Sequence, residues 1–514
     1  MPTRREFLLL AGGAGLALAL PGCGASPPLK KDIFTDFGDP ARPYLGMATS
    51  LRQEHDYEAH VEGTIPPELR GTLYRNGPGL FDRDGLRRRT VLDGDGMVQS
   101  FTFHDRGVRY RNRFVRTGRY AAEEAAGKYL YPSWCTQAPG GVFANIFRPS
   151  SVTSQASVTV YRINDRFYAF DEIGLPYELD PVTLATIGET SFGLPRQLTT
   201  YAAHSKVDAQ TGEWLHFGLS FGKDPFIHIT IFTRSGSLHS HRAFPMPRYN
   251  YMHDWFVSDR WLVFNVQPVE IHFWGFLFGF RSLYDSLRWA PGKGGLLMVV
   301  ERDGNAAPIL IEAPPLFMWH SVNARTEKGE IIADFIGYEN PDHFIGPDPV
   351  ATALMAGRKG DHNYPGILRR FVIDPAKRSL ITETVAGENF EFPRINGQHL
   401  CHPYRFCYTA QGYPGEFFTT IIARVDMTTG KVASHDFGKG QFCSEPVFVP
   451  LPGRSYRPDD AEEPGWLLTE VYDSATLRSH LAVLRAERVG DGPLARVLLT
   501  HHAPFSYHGW WSAA

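Results

Sequence analysis

The stretch YELDPVTLATIG, residues 177–188, carries the pattern from which the fold is read. An apolar strand runs into Asp180, a Pro181-Val182-Thr183 turn follows, and a second apolar strand leaves. Aspartate can bond its own backbone two residues on, and proline presets the turn dihedral, so the pattern spells two antiparallel strands and a tight turn. The same pattern recurs in KVDAQTGEWLHF (206–217), FVIDPAKRSLI (371–381) and ARVDMTTGKVAS (423–434). VTVYRINDRFYAF (158–170) and WFVSDRWLVFNV (255–266) read as hairpins with two-residue polar tips.

Many short antiparallel strands imply a sandwich, a barrel or a propeller. Here the repeats are imperfect but run from residue 158 to residue 434. A single sandwich rarely needs so much chain, so a propeller is expected. The 50 glycines and 38 prolines suit a turn-rich β protein. Helix signals are few: EEAAGKYL (123–130) reads as a short helix, and FLFGFRSLYDSLRW (276–289) is amphipathic in part.

With 43% hydrophobic residues the 514-residue chain can bury a substantial core. Its formal net charge of −3 and lack of long charge runs give no reason to expect a nucleic-acid partner. The N-terminus, MPTRREFLLLAGGAGLALALPGC, places Arg4-Arg5 before an apolar run from Leu8 to Leu20. That run is shorter than the roughly 20 residues a bilayer span needs. Residues 1–29 are expected to be a twin-arginine export signal, sending the protein to the periplasm. Leu20-Pro21-Gly22-Cys23 resembles a lipoprotein box, which leaves membrane anchoring through Cys23 open. No linker divides residues 30–514, which are expected to form one domain. Cys135, Cys401, Cys407 and Cys443 show no CxxC pair and are expected to be buried, not to bind zinc, although export permits a disulfide.

Among the 20 histidines, His204 (YAAHSKVDAQTGEW), His253 (YMHDWFVSDRWLVF) and His320 (FMWHSVNARTEKGEII) each begin a short strand that runs into a polar turn. Strands that begin at matching positions of different blades converge on a propeller's centre. Three imidazoles from three blades, with His508 from a docked tail (FSYHGWWSAA), would then surround one point. A lone histidine on an apolar strand is more often a hydrogen-bonded core residue. Spacings of 49, 67 and 188 residues match no compact metal motif. His239 and His241 read as solvated turn residues, His399 and His402 either as a local metal-binding pair or as structural residues, and His501 and His502 as neighbours competing with His508 for the tail's role.

At these residues the sequence resembles the carotenoid cleavage oxygenase family, which includes apocarotenoid and stilbene oxygenases and the retinal-pigment-epithelium isomerase. GTLYRNGPG (71–79) and LDGDGMVQSFTF (92–103) resemble its N-terminal signatures. AHSKVD, MHDWFVSD, MWHSVNA and YHGWW resemble its four iron-ligand segments, in order. The resemblance implies a seven-bladed β-propeller with a helical or loop cap over the metal-bearing face. It also implies one Fe(II) held by His204, His253, His320 and His508. Glu172, Glu391 and Glu445 would be the carboxylate partners of His253, His320 and His508. A carboxylate on the second imidazole nitrogen fixes tautomer and ring orientation. Glu391 and Glu445 lie among apolar residues, where an unpaired carboxylate is costly. Glu178 and Glu388 read as surface charges. Ser205, Trp319 and the segment SSVTSQASVTVY depart from the family pattern, on the cavity side and not at the ligands.

The implied reaction is a dioxygenase's: O2 cleaves a C=C bond of a carotenoid or apocarotenoid into two carbonyls. No nicotinamide or flavin fingerprint is present, and the DGDGM glycines are expected in a tight turn. Phe273, Trp274, Phe276, Leu277, Phe278 and Phe280 form a segment that reads either as buried cover or as a greasy tunnel mouth touching a membrane interface. The second substrate reading is a hydroxystilbene, with Tyr120 and Lys128 as phenol anchors. A non-catalytic propeller that binds lipophilic ligands is the alternative of another class.

Overall fold

The computed structural model describes residues 26–30, 38–147, 152–195 and 201–514. The Arg4-Arg5 export-signal and Cys23 readings lie outside the described residues. Five four-stranded antiparallel sheets follow one another, over residues 159–189, 206–245, 256–313, 317–386 and 390–436. A ten-stranded sheet supplies two more blades, making seven. The sixth blade holds Gln441–Cys443 and Val447–Pro450 beside Gly465–Asp473, then Arg478–Arg485 and Pro493–Leu498. The seventh runs His508–Ala513, Gly71–Leu80, Asp95–His104, Gly107–Phe114 and Asp56–Gly63. Their outer strands join where His60 to Gly63 pair with Leu498 to Ala495.

The seventh blade closes the ring. Its first strand, His508–Ala513, is the last strand of the chain, and it pairs antiparallel with Gly71–Leu80 from near the beginning. The tail is therefore a structural strand, and Trp511 packs against Leu73 and Phe103 in the core shared with the sixth blade. Elsewhere the core likewise fills the gaps between neighbouring sheets. Leu215, Ile229, Trp255, Leu262 and Phe264, for example, join the blades that start at Lys206 and Phe256.

The Asp turns form as their chemistry requires. Asp180 Oδ1 accepts from the backbone of Val182 and Thr183, Asp374 Oδ1 from Ala376 and Lys377, and Asp426 Oδ1 from Thr428. Asp208 does the same for Gln210 and Thr211, but between the first and second strands of its blade. The turn motif therefore marks hairpins without marking one fixed blade position. Asn164 and Asp165 have φ of 51° and 62°, the left-handed pair that a two-residue hairpin needs.

Three local expectations are corrected. The helix expected at 123–130 spans Gly118–Ala126, because Thr117 caps its start and Gly127, at φ 65°, ends it. Residues 276–289 are not one helix: Phe273–Leu277 is helical, Gly279 turns left-handed at φ 72°, and Leu287–Trp289 is a strand. The expected tight turn covers only the start of DGDGM: Gly94 ends the short 3-10 turn Val91–Asp93, whereas Gly96 lies in strand Asp95–His104. Gly94 is extended at φ −71°, and a Cβ at Gly96 would lie 2.3 Å from the Ala156 carbonyl oxygen, so close backbone approach is what requires glycine. All four described cysteines are buried and free.

Candidate metal centre

Four imidazoles meet at the inner strands. His204 lies just ahead of strand Lys206–Val207, His253 ahead of Phe256–Val257, His320 within Phe317–Glu327, and His508 at the head of His508–Ala513. Each belongs to the first strand of its blade, or to the approach to it. All four are buried, with one nitrogen of each within 4.8 Å of the others. Nε2 of His204 and of His253 are 2.9 Å apart, and Nε2 of His253 and of His320 are 3.3 Å apart. Nitrogens in adjacent positions on one ion, bonded at about 2.0–2.1 Å, stand about 3 Å apart, so the spacing fits a shared metal.

The second ring nitrogens decide the protonation. His253 Nδ1 lies in ion-pair contact with Glu172 Oε1. His320 Nδ1 bonds Glu391 Oε2 at 2.5 Å, and His508 Nδ1 bonds Glu445 Oε1 at 2.9 Å. An ionised carboxylate only accepts, so Nδ1 carries the hydrogen and a neutral ring turns its Nε2 lone pair inward. Lone pairs facing one another in a buried space are what a cation satisfies. Burial holds His204 well below the usual imidazole range, with the neighbouring imidazoles adding to the effect. Burial also lowers His508 to about 4, against the pull of Glu445. His320 moves the other way: burial would lower it, but the charge and hydrogen bond of Glu391 outweigh burial.

Glu445 shows how closely the carboxylates are held. Its Oε2 accepts from the Gly509 backbone at 2.7 Å, and Arg75 and Arg394 each stand 3.7 Å from its oxygens. Burial opposes ionisation, but Arg394, His508 and Arg75 outweigh it and hold the carboxyl at about 2. Arg75 is fully buried; it donates to the Glu445 carbonyl at 2.9 Å, to Ser444 Oγ at 2.7 Å and to Ser506. The sequence reading missed this residue. Its signal was available: an arginine inside an apolar strand persists only when fully paired. Glu391 also accepts from Tyr338 Oη at 3.1 Å and from the Phe392 backbone.

His253, His320 and His508 line a cavity whose other walls include Val91, Leu92, Val158, Phe344, Phe392 and Phe418. Most of the lining comes from strand ends and loops; Ala351, in the short helix Val350–Ala353, is the α-helical contribution. The cover over this face is thus mainly loop. A second cavity shares Trp134, Glu172 and Tyr251 with the first and extends along Leu219, Ile271 and Leu287 to Phe221. There Phe221 packs on Phe273, 5.3 Å between ring centroids. Of the six apolar residues singled out at 273–280, Trp274 is exposed and the rest are half-buried. Phe147, from a distant part of the chain, adds an exposed ring that contacts Phe278, and exposed Phe143 lies in the same short segment as Phe147.

Other candidates fall elsewhere. Tyr120 packs on Phe114 away from both cavities, and Lys128 is exposed. His239 and His241 lie in strand Leu238–Pro245, not in a turn, and His241 is half-buried against Thr230. His402 bonds Asp208 and His399 approaches Glu463, both as structural contacts. His501 stacks on His55. Glu178 pairs with Arg166 at the surface.

A profile of the retinal pigment epithelial membrane protein family matches residues 48–513. The chain is 31% identical to apocarotenoid-15,15'-oxygenase of Synechocystis over 90% of its length and 94% of that protein's. It is 29% identical to lignostilbene-alpha,beta-dioxygenase isozyme III of Sphingomonas paucimobilis over 91% and 96%, and 27% identical to isoeugenol monooxygenase of Pseudomonas nitroreducens over 91% and 97%. The crystal structure of cobalt-substituted Synechocystis ACO superposes with a TM-score of 0.85 at 31% identity, covering 93% of this chain and 99% of that one. These relatives are oxygenases, which sets aside the non-catalytic reading. The chain belongs to the retinal pigment epithelial membrane protein family, the carotenoid cleavage oxygenases, and is an enzyme of oxidative double-bond cleavage.

Proposed function

We propose that this protein is a non-haem Fe(II) dioxygenase that cleaves one C=C bond of a carotenoid or apocarotenoid into two carbonyl products. The observation that carries the proposal is a ring of four imidazoles, spaced for one metal, opening into a cavity walled mainly by hydrocarbon. His204, His253, His320 and His508 would hold the iron, which supplies the one-electron chemistry that lets O2 react with an alkene.

The chain's own groups do the rest. Glu172, Glu391 and Glu445 keep the Nδ1 hydrogens on their imidazoles, aim the Nε2 lone pairs and offset cationic charge at the centre. Phe344, Phe392 and Phe418 exclude water and hold an elongated apolar chain by contact alone. The absence of Tyr120 and Lys128 from the cavity favours a polyene over a phenol-anchored stilbene. The patch around Trp274 and Phe147 is the mouth through which a lipophilic substrate enters from a membrane interface. Export by the twin-arginine route would put that mouth in the periplasm.

The test is a competition. Protein loaded with Fe(II) in air is offered an apocarotenal and a hydroxystilbene together, and aldehydes are identified by mass spectrometry. Shortened apocarotenoid aldehydes are expected and identify the bond. Aromatic aldehydes alone would overturn the substrate class.

A further inference from the structure

Apart from the histidine ring, one other group of metal-capable side chains converges among the described residues. Asp342, His343 and His362 are all buried and bring one ligand-type atom each within 4.8 Å of the others. Asp342 Oδ1, His343 Nδ1 and His362 Nδ1 have no hydrogen-bond partner in the protein.

The partners of the remaining atoms fix what each free atom requires. Trp319 Nε1–H donates to His343 Nε2 at 2.8 Å. An indole nitrogen only donates, so the neutral His343 ring carries its hydrogen on Nδ1. His362 Nε2 faces Asn389 Oδ1 at 3.1 Å. That oxygen also accepts from the Gly366 backbone, and Asn389 Nδ2 donates to the carbonyls of Tyr413 and Glu416, which sets the amide's orientation. A carbonyl only accepts, so His362 Nε2 is the donor and Nδ1 offers a lone pair. Asp342 Oδ2 accepts twice from Asn363, leaving Oδ1 as an acceptor. The three free atoms are therefore one donor and two acceptors.

A metal ion needs three lone pairs, and His343 presents a hydrogen. Distance argues the same way. His343 Nδ1 and Asp342 Oδ1 are 4.0 Å apart, against 2.9 and 3.3 Å in the histidine ring. At about 2.0–2.1 Å per bond, that gap is wider than the roughly 3 Å between adjacent ligands of one ion. Water accepts one hydrogen, donates two, and bonds at about 2.7–3.2 Å. Three bonds are also what a buried water usually makes. We propose that Asp342, His343 and His362 form a binding site for a single water, closed to metal ions, that locks His343 in the tautomer accepting the Trp319 indole.

The location gives the site a purpose. Trp319 and His343 line the metal-side cavity, and Trp319 stands edge-on to His253 with 4.9 Å between ring centroids. His362 instead lines a small separate pocket with Lys359 and Glu416. The water would sit at the cavity wall and hold one of its large rings in position.

The test uses the full chain exposed to Fe(II) and Zn(II), with metal analysis and an experimental structure recorded with anomalous data. One metal per chain is expected, with a lone oxygen within hydrogen-bond reach of all three free atoms. A second metal equivalent that is lost in His362→Ala, or His343 and His362 closing directly on each other, would overturn the proposal. The tautomer lock has its own measurement. His343→Gln keeps an acceptor and a donor, whereas His343→Leu keeps neither. The ultraviolet resonance Raman signal of a hydrogen-bonded indole, assigned through Trp319→Phe, should survive in the first variant and vanish in the second. Its survival in His343→Leu would refute the lock.

Discussion

His508 and Asn76 stand opposite each other in adjacent antiparallel strands, one from each end of the chain. The same pairing that closes the propeller therefore delivers the fourth imidazole. Two lesions separate these roles. Removing residues 508–514 takes away a whole inner strand and should lower the melting temperature of the metal-free protein by several degrees. His508→Ala should leave that temperature nearly unchanged while abolishing tight metal binding. Thermal unfolding and metal titration of the two variants check this; equal melting losses would contradict it.

Glu391 acts on the centre through His320. Glu391→Gln should weaken metal binding by about 10- to 100-fold, the usual effect of removing a charged partner behind a ligating histidine. Glu178→Gln, at a surface pair with Arg166, is the matched control and should change nothing. Competition with a chelator reads both values.

His320→Ala should lose metal and activity together and stay folded, as far-ultraviolet circular dichroism would show. Full activity in this variant would remove His320 from the centre.

Asp171 lines the cavity beside Glu172, and burial raises its carboxyl to about 6 from the ordinary 3.8. Backbone hydrogen bonds from Gln155 and Glu172 offset only part of that cost. The folded state therefore holds the proton longer than the unfolded state. The associated stability is fully present below about pH 3.8 and is lost as pH rises through 6, about 3 kcal/mol in all. In Asp171→Asn that loss disappears, so the variant's stability relative to the parent should rise between pH 4 and 7. Melting temperatures of the metal-free proteins across that range give the slope.

Glu445 has the opposite sign. Its folded value of about 2 lies below the ordinary 4.5, so its contribution is present above pH 4.5 and is lost as pH falls toward 2. Glu445→Gln should flatten the acid limb of the metal-free protein's stability curve and leave the region above pH 5 parallel to the parent's.

Much of this was legible in the chain because its causes are local. Asp180, Asp374 and Asp426 bond their own turns, so the hairpins could be read residue by residue. Glu391 and Glu445 stood out as carboxylates in apolar company. The histidine ring was less legible: its members are far apart in sequence, and only their likeness to known ligand segments singled them out. What remained hidden depends on contacts between distant segments. Arg75 meets Glu445 and Ser506 only once the ring has closed. Phe147 joins the Trp274 patch only because two loops fold together, its backbone N–H donating to the Leu277 carbonyl. The pattern at 276–289 suggested a helix because periodicity does not register the left-handed turn at Gly279.

Closure by the final strand also bears on how the protein is made. A ribosome delivers the blades in order, and His508 follows all of them. A nascent or prematurely ended chain can present three of the four imidazoles but never the complete set. Metal capture at full affinity would thereby wait until the strand that closes the propeller has been made.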